Sequence, residues 1–328
     1  MKKTLSLALV MITVLSLRAQ DPEFTQFYAN PLYLNPALAG SAQGPRMALN
    51  YRNQWSALPA SFITYALSYD QHFDALAGGI GVQVLYDVAG EGSLSTSMGS
   101  LMYSYHLNVT PKFSVKAALQ TSIQQKRIDF SQLIFGDQLH PRMGIIRESD
   151  ETFAGEGVYL MDPFLDFSAG IVGFTNLFYA GYAAHHLNRP RQTFLNDPDS
   201  RLPVKHTTHV GMQIPLEDSR FPTRFISPNL LVQMQSNFMQ INLGTYYSRD
   251  NFVIGAWWRQ TSYNTDAFML LIGLKRDPFK IGYSYDITFS DIRTGGHGSH
   301  EISINLEFAT PNRISTDNKW RKLQCPSF

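Results

Sequence analysis

Residues 300–308 read HEISINLEF, and the fold can be argued outward from this stretch. Its apolar side chains occupy alternate positions: Ile302, Ile304, Leu306 and Phe308. The positions between them are polar: Glu301, Ser303, Asn305 and Glu307. Because successive strand residues point to opposite faces of a sheet, this strand has one apolar and one polar face. Such a strand fits a soluble sandwich with its polar face in water, or a transmembrane barrel with its polar face in a lumen.

The same two-faced alternation recurs along the chain, while helical periodicity is scarce outside residues 1–20. Clear examples are SFITYALSYD at 61–70, FSVKAALQTSIQQK at 113–126, FMQINLGTYY at 238–247 and FKIGYSYDITFS at 279–290. The period and the turn residues predict fourteen strands, at 46–53, 61–72, 77–87, 93–107, 113–126, 162–173, 175–186, 204–215, 223–235, 238–248, 251–260, 266–276, 278–290 and 299–309. Most reach the length of roughly ten residues that a tilted membrane strand needs, whereas soluble strands are typically about five or six residues long.

The lengths of the connections favour the membrane barrel. The even-numbered connections are mostly short, for example RD and DP, although the eighth, LEDSRFPT, is longer. The longest connections are all odd-numbered: the fifth, the seventh and the thirteenth. Outer-membrane barrels have short periplasmic turns and long extracellular loops. We therefore predict an all-β, antiparallel outer-membrane barrel of about fourteen strands, with both of its ends in the periplasm.

The chain opens with MKKTLSLALVMITVLSLRAQ, which has the form of a secretory signal peptide cleaved after Ala19. Removal of Lys2, Lys3 and Arg18 changes the formal net charge from +1 to 1 − 3 = −2, so electrostatics gives no reason to expect nucleic acid as a partner. The only cysteine, Cys325, can form no intramolecular disulfide. No later run is apolar for the roughly 18 to 20 residues of a membrane helix, so a membrane crossing requires strands.

Aromatic residues near the strand ends fit the interfacial girdles of a membrane barrel. The pairs that we assign to these girdles are Tyr103 and Tyr105, Tyr246 and Tyr247, and Trp257 and Trp258. Aromatic residues favour strands in any setting, so the pattern supports the barrel only together with strand length, connection parity and the leader.

The polar phase of the strands predicts which side chains face the lumen. A lysine or arginine near the middle of the lipid face would cost about 2–4 kcal/mol, and an acidic residue somewhat less. The lumen or its rim is therefore expected to carry the charged residues of this phase, together with Lys280. As candidate substrate-binding residues we single out Glu301, Glu307, Asp286, Lys116 and Gln240.

Two segments lie outside the predicted barrel, which spans residues 46–309. Residues 20–45 are rich in proline and aromatic residues and are predicted to plug the lumen or to dock a periplasmic partner. The candidate residues of this segment are Asn30, Pro31, Tyr33, Asn35, Pro36 and Gly40. Residues 310–328 form a polar tail in the periplasm, either solvated or a docking peptide.

Sites for metal or catalysis are weakly indicated. Paired histidines at 206 and 209, or at 185 and 186, would point to opposite faces of a strand and could not chelate zinc together. Residues Asp291, His297, Ser299, His300 and Glu301 cluster in sequence but include no nucleophile motif. The acidic residues Asp137, Glu148, Asp150, Glu151, Glu156 and Asp162 lack EF-hand spacing. GGIGVQ at 78–83 precedes no helix, so its glycines are expected to allow close packing inside the barrel. We therefore expect no enzyme and no cofactor.

Several motifs, in order along nearly the whole mature chain, resemble the PorP/SprF family of outer-membrane proteins. They are NPLYLNPALAG, YRNQW, SYD, GEGSLST, FGDQL, HHLNRP, GAWWR, GYSYDITFSDIRTGGHGSHEISI and CPSF. The resemblance implies an outer-membrane β-barrel of the type IX secretion system of Bacteroidetes. It further implies a role in the export or surface attachment of large substrates, such as gliding adhesins with a C-terminal sorting domain. Its implied partners are that substrate, periplasmic ring lipoproteins and the translocon, and it supplies no catalytic residues.

A barrel of this size is too narrow for a folded adhesin but can hold one strand or a terminal peptide in its lumen or at its rim. The long fifth and seventh loops could then act as an outer clasp. Two other functions use the same architecture: a FadL-like or porin-like channel for small solutes, and a barrel hydrolase.

Overall fold

A computed structural model describes residues 21–42, 44–56, 61–90, 93–140, 142–146, 149, 157–193, 200–219, 222–262, 265–289 and 298–308. The predicted leader 1–19 and the predicted tail 310–328 lie outside this described part of the chain. Within it, no helix has both the length and the apolar character needed to span a membrane.

The described chain forms a closed antiparallel barrel of fourteen long strands, as predicted. They are β1 (Arg46–Gln54), β2 (Phe62–Phe73), β3 (Gly78–Ala89), β4 (Leu94–Thr110), β5 (Phe113–Asp129), β6 (Phe164–Phe174), β7 (Phe178–His185), β8 (Lys205–Met212), β9 (Arg224–Gln235), β10 (Phe238–Arg249), β11 (Phe252–Thr261), β12 (Thr265–Arg276), β13 (Phe279–Thr288) and β14 (Ser299–Glu307). Each strand pairs with the next in sequence, and β14 pairs with β1 to close the barrel. Short strands Val158–Leu160 and Ile214–Pro215 extend the sheet beside β5 and β9, and Leu139–His140 pairs with Gly144–Ile145 in a separate hairpin.

The alternation of side chains has the predicted phase. On β14, Glu301 is 1% exposed whereas its neighbour Ile302 is 43% exposed. Every strand presents large exposed side chains on its outer face, for example Leu49, Leu67, Val84, Leu101, Leu119, Leu165, Tyr182, Met212, Leu230, Leu243, Ile254, Ile272, Ile281 and Ile302. A soluble monomer rarely exposes an apolar surface of this extent, so the outer face is suited to lipid.

Strand β8 ends at Met212, earlier than predicted, and the reason lies in its neighbour β9. Pairing between the two stops at Gly211 opposite Asn229 and resumes only at Ile214 opposite Ile226. The gap coincides with Pro228, which has no N–H to donate to a ladder.

The connections divide the barrel into two ends. One end carries residues 74–77, 111–112, 175–177, 213–223, 250–251 and 277–278, and we name it the turn end. At the other end the strands are joined in sequence by the connections numbered 55–61, 90–93, 130–163, 186–204, 236–237, 262–264 and 289–298, and we name it the loop end. Because outer-membrane barrels place long loops outside the cell, we predict that the loop end is extracellular and the turn end periplasmic.

Before β1 the chain forms two short helical turns, α1 (Pro31–Leu34) and a 3₁₀ turn (Pro36–Leu38). Each turn begins with proline, whose fixed φ and missing N–H suit the first helical position. Asn35 caps the second turn, because its Oδ1 accepts a hydrogen bond from the N–H of Ala37 at 2.9 Å. The repeated Asn-Pro in NPLYLNPALAG therefore encodes two compact turns.

Candidate functional site

The N-terminal segment, residues 21–42, lies in the interior of the barrel. Its first part contacts Asp286 of β13 and Glu301 of β14 near the loop end. Its last part contacts Asp70 of β2 near the turn end. We name residues 21–28 the outer arm and residues 30–40 the inner anchor. The segment thus runs along the lumen from the loop end toward the turn end.

Four buried charges surround the outer arm. Asp286 Oδ2 lies 3.2 Å from Arg52 Nη2 and 3.2 Å from Arg259 Nη1. Glu301 Oε2 lies 3.6 Å from Arg52 Nη1, and the register places Arg52 directly opposite Glu301. All four side chains are at most 4% exposed. Buried ions are tolerated only when their charges are paired and their remaining polar atoms are hydrogen-bonded, so this charge cluster needs further partners.

The backbone of the outer arm supplies those partners. The N–H of Thr25 donates to Glu301 Oε2 at 2.6 Å, and the N–H of Gln26 donates to Glu301 Oε1 at 3.1 Å. The Thr25 hydroxyl donates to the Asp286 carboxylate at 2.8 Å and accepts from Arg52. Each carboxylate of the cluster is therefore hydrogen-bonded to the arm as well as ion-paired.

The side-chain amide of Gln26 is held at both of its ends. Its Nε2 donates to Ser284 Oγ at 3.2 Å and to the carbonyl of Glu301 at 3.0 Å. Its Oε1 accepts from Ser303 Oγ at 2.6 Å. A hydrophobic residue of similar size could not make these three contacts, so the position is specific for an amide.

Aromatic contacts continue the arm into the barrel. The ring of Phe27 packs edge-on against Trp257 at 4.7 Å, and Tyr28 lies near Tyr246 and Trp257. The assignment of Tyr246 and Trp257 to a lipid girdle is therefore wrong, because both rings are buried inside the barrel. Adjacent strand residues face opposite sides, so only Tyr247 and Trp258 of these two pairs can face lipid, whereas Tyr103 and Tyr105 are two residues apart and are both exposed on the outer face. Gly244 makes the room, since a Cβ there would lie 2.2 Å from the Trp257 ring.

The inner anchor is held mainly through backbone groups. Asn35 Nδ2 donates to the carbonyls of Ile171 at 3.3 Å and Tyr182 at 3.2 Å. A Cβ at Gly170 would lie 2.1 Å from Asn35 Oδ1. Near the turn end, the carbonyl of Ala39 accepts from Ser104 Oγ at 2.7 Å and from Lys116 Nζ.

The anchor ends at a close approach between Gly40 and the wall. The N–H of Gly40 donates to Asp70 Oδ2 at 2.7 Å, and Arg46 Nε pairs with Asp70 Oδ1 at 2.8 Å. Gly40 has φ +61°, a left-handed conformation that favours glycine. A Cβ at Gly79 would lie 2.4 Å from the Ala39 carbonyl oxygen. The prediction that GGIGVQ provides room for close packing is confirmed.

The first residue of the arm meets the wall through a histidine. His186, just after β7, lies between Asp21 at 2.8 Å and Asp166 at 2.9 Å. Burial opposes protonation of His186, but the two carboxylates raise its pKa to about 9. Burial also opposes ionisation of Asp21, yet His186 and Lys205 hold the pKa of its carboxyl well below the usual range. The outer end of the arm is therefore fixed by a charged bridge.

A cavity of about 510 Å³ lies beside the arm in the half of the barrel toward the loop end. The arm borders it through Asp21, Pro22 and Glu23. Its walls combine both charges with apolar side chains, including Arg52, Arg259, Asp87, Lys126, Lys205, Gln240, Leu85 and Phe238. The site can therefore accept a ligand that has polar and apolar parts.

A family model described as type IX secretion system membrane protein PorP/SprF matches residues 16–306 of this chain. The chain belongs to the PorP/SprF family. Together with the closed barrel and its apolar outer face, this makes the protein a multi-pass outer-membrane β-barrel of type IX secretion. No curated protein sequence matches the chain.

Solved structures share the fold of this PorP/SprF protein. The Ralstonia pickettii toluene transporter TbuX is 10% identical with a TM-score of 0.53, over 84% of this chain and 93% of that one. The CymD monoaromatic hydrocarbon channel is 13% identical with a TM-score of 0.50, over 86% of this chain and 93% of that one. At such identity the likeness concerns the fold alone.

The candidate residues chosen from the sequence of this PorP/SprF member lie in different places. Glu301, Asp286 and Lys116 point inward and contact the N-terminal segment, while Gln240 lines the cavity. Glu307 lies at the turn end and pairs with Lys280 at 2.7 Å. In the N-terminal segment, Asn30 accepts from Gln83 at 2.9 Å and Tyr33 borders the cavity; Pro31, Asn35, Pro36 and Gly40 are buried. Whether any of them binds a substrate stays a prediction.

Of the residues grouped by sequence as candidate chemistry, the described neighbours His300 and Glu301 face opposite sides of the wall. Glu301 is buried in the lumen, whereas His300 bonds the exposed Tyr283 at 2.8 Å. Asp291, His297 and the acidic residues Glu148, Asp150, Glu151 and Glu156 lie outside the described residues. His209 is buried and His206 exposed, so they face opposite sides as predicted. Among the residues described, no group of three or more His, Cys, Asp or Glu is placed to hold a metal.

Sequence reasoning missed Arg52, Arg259 and the bridge formed by Asp21, His186 and Asp166. The two arginines belong to the inward phase of β1 and β11, and the phase alone could have found them. The pairing of Arg52 with Asp286 and Glu301 depends on barrel closure, which brings β1 beside β14, whereas Arg259 reaches Asp286 across β12.

Proposed function

We propose that this protein holds a terminal segment of a large secreted client at its extracellular end, and thereby helps to secrete that client or to anchor it at the surface. The client class is that of gliding adhesins with a C-terminal sorting domain, as the family resemblance implies. The observation that supports this best is the cavity at the loop end, which is bordered by an outer arm whose backbone N–H groups already bind the wall.

The size of the cavity favours a segment over a folded domain. At about 510 Å³ it falls in the range of roughly 300–1,000 Å³ that is usual for ligand pockets, far below the volume of a protein domain. Its mixed charges and apolar side chains suit a peptide, which presents amides and varied side chains together. Of the candidate residues chosen from the polar phase of the strands, Gln240 is the one that lines this cavity.

The fifth connection offers a second contact surface outside the barrel. It carries five large apolar side chains that are each more than half exposed: Ile134, Leu139, Met143, Ile145 and Ile146. We name these the hairpin patch. Below it the outward phase of β5 becomes polar at Gln125 and Arg127, beyond its last apolar residue, Ile123. Because this polar step separates the patch from the lipid face of β5, the patch is better suited to a client than to lipid.

Partners in the periplasm would meet the other end of the barrel. Ring lipoproteins and the translocon could contact the turn end or the tail 310–328. The N-terminal segment acts in this proposal as a plug rather than as a docking peptide, because residues 24–39 are almost entirely buried.

The test is purification of the tagged protein from its native outer membrane, with mass spectrometry of the proteins that accompany it. We expect a large secreted protein with a C-terminal sorting domain, and less of it with Ile145→Asp and Met143→Asp together. A matched control is Leu119→Ile, which keeps the lipid face apolar. A barrel repeatedly free of any client would contradict the proposal.

The competing function is a channel for small solutes. It predicts conductance or solute uptake that does not depend on any secreted protein. Planar-bilayer recording of the full chain decides this, and the proposal expects little conductance because the N-terminal segment occupies the interior.

A further inference from the structure

We propose that the outer arm is an internal ligand, occupying in cis the site that the client's terminal segment takes in trans. The ligand class is a peptide that carries an amide side chain between aromatic residues and enters a turn at that amide, as FTQFY does at residues 24–28, where the N–H of Ala29 donates to the Gln26 carbonyl at 2.8 Å. This inference rests on the proposed function and names the chemistry of the client segment. It assigns a role to a site that the barrel interior already shows in its occupied form.

The barrel wall binds the arm through its backbone N–H groups and through the side-chain amide of Gln26, as peptide-binding proteins bind their ligands. Glu301 accepts two successive backbone N–H groups, at 2.6 and 3.1 Å, which a bent peptide segment without proline presents on one side. Ser284, Ser303 and the Glu301 carbonyl read the amide of Gln26. Backbone contacts provide affinity, and the amide contacts provide selection.

Two aromatic positions flank this amide. Phe24 packs against Ala66 and Leu85, and its ring lies edge-on to Tyr33 at 5.2 Å. Phe27 packs against Trp257 on the opposite side of the arm. Buried aromatic side chains commonly dominate the energetics of an interface, so these two positions would anchor a client segment.

The arm borders the open part of the lumen at its first three residues, and the inner anchor also borders it, at Leu32 and Tyr33. Asp21, Pro22 and Glu23 of the arm line the cavity, and so do Arg52 and Arg259 of the charge cluster. A segment entering from the loop end therefore meets the arm and the arginines together. The anchor is enclosed by glycine positions of the wall and can stay in place during the exchange.

A tethered arm competes strongly with a free ligand. Its effective concentration at its own site is on the order of millimolar, as for short flexible tethers. A free peptide should therefore bind poorly to the intact chain and much better once the arm is removed or weakened. A client that also contacts the hairpin patch gains a second attachment, which would let it compete with the arm.

The test uses a fluorescent peptide with the sequence of residues 21–30, DPEFTQFYAN, and the purified barrel in detergent. We compare the full chain with a variant that lacks residues 21–28. The variant should bind the peptide saturably and at least about tenfold more tightly than the full chain. A peptide with Gln26→Ala should bind about tenfold more weakly, because it loses three hydrogen bonds. Equal binding by the full chain and the variant would overturn the inference.

A second variant covers the case in which the deletion prevents folding. Gln26→Ala with Phe27→Ala in the full chain weakens the arm and leaves the wall unchanged, so peptide binding should appear. Adding Glu301→Gln to this variant should weaken that binding again. If peptide binding does not respond to either change, the arm is only structural and the inference fails.

The yield of client in the native purification distinguishes this inference from the proposed function. Client recovered equally with the full chain and with the arm variants refutes the internal ligand but supports capture. Peptide binding that follows the arm, without any client in the native membrane, supports the internal ligand and refutes capture. A larger yield of client with the weakened arm supports both.

Discussion

The outer arm and the inner anchor share one lumen but are held by different physics. The arm is held by buried charges and by hydrogen bonds to Glu301 and Asp286. The anchor also meets buried charges, Lys116 and Asp70, at its turn end, but most of its length is enclosed by close backbone approach at positions where the wall has glycine, such as Gly79 and Gly170. A contact of the first kind can be weakened by changing one charge, whereas one of the second kind is lost when volume is added. The comparison indicates a fixed half and an exchangeable half of one plug.

Removal of Arg52 should produce the largest difference between the outer arm and the inner anchor. Arg52→Ala leaves the buried carboxylate of Glu301 without an ion-pair partner and removes one from Asp286. Breaking a buried pair in this way costs about 3–5 kcal/mol. We expect the arm to leave the lumen while the anchor stays. The measurement uses a Cys325→Ser background in which each variant carries a single reporter cysteine. Maleimide should label Glu23→Cys quickly and Ala37→Cys slowly.

The control for this experiment is Arg224→Ala, which removes an exposed arginine near the turn end that pairs with Glu217 at 3.0 Å. Surface pairs contribute little, so labelling should not change. Equal labelling at positions 23 and 37 in the Arg52 variant would show that the two halves move as one unit.

A volume change at Gly79 should affect the opposite half. The Cβ of Gly79→Val would overlap the Ala39 carbonyl and Gly40 Cα, both of which are backbone atoms. Overpacking of this kind costs about 1–3 kcal/mol. We expect faster labelling at position 37 and a lower urea midpoint of unfolding. Gly99→Val is the matched control, because the nearest atom to a Cβ there is 3.8 Å away; equal effects at both positions would argue against close packing.

The sequence predicts the inner face of the barrel wall well and the contacts of the N-terminal segment poorly. Period-two alternation places Glu301, Asp286 and Lys116 on the inner face, because the phase of a strand is a local property. It does not predict that Phe27 meets Trp257, or that Asp21 meets His186, since such contacts join residues far apart in the chain. Gly79 gave a partial signal: a glycine in a strand indicates close approach without naming the partner.

The bridge at Asp21 should make the arm sensitive to alkaline pH. His186 has its pKa raised to about 9 in the folded chain, above the ordinary value of 6.5. Its contribution is therefore fully present below about pH 6.5 and is lost as the pH rises through about 9. A hydrogen bond to a charged group contributes roughly 1.5 kcal/mol. Labelling at position 23 should speed up between pH 7 and 9.5, after correction with a free thiol standard, while labelling at position 37 should not.

Replacing the histidine identifies the group that titrates. In His186→Gln, one amide nitrogen replaces the two ring nitrogens that reach the two carboxylates, and the side chain carries no charge. The arm should then label faster at pH 7, and the additional rise toward pH 9.5 should be absent. A rise of the same size in this variant would assign the pH dependence to another group, such as Lys205.

The smallest effect is expected at Glu307, on the rim of the turn end. Glu307 pairs with Lys280 at 2.7 Å, but its side chain keeps 21% of its exposure, and neither residue has a described contact with the outer arm or the inner anchor. Partly exposed pairs contribute at most about 1 kcal/mol, so Glu307→Gln should lower the urea midpoint only slightly and leave both labelling rates unchanged. If Glu307 instead binds a client or a periplasmic partner, the same variant should lose that partner in the native purification while the barrel remains intact. Loss of a partner without a change in labelling would show that the turn end also recognises partners. The outer arm would then not be the main determinant of partner binding.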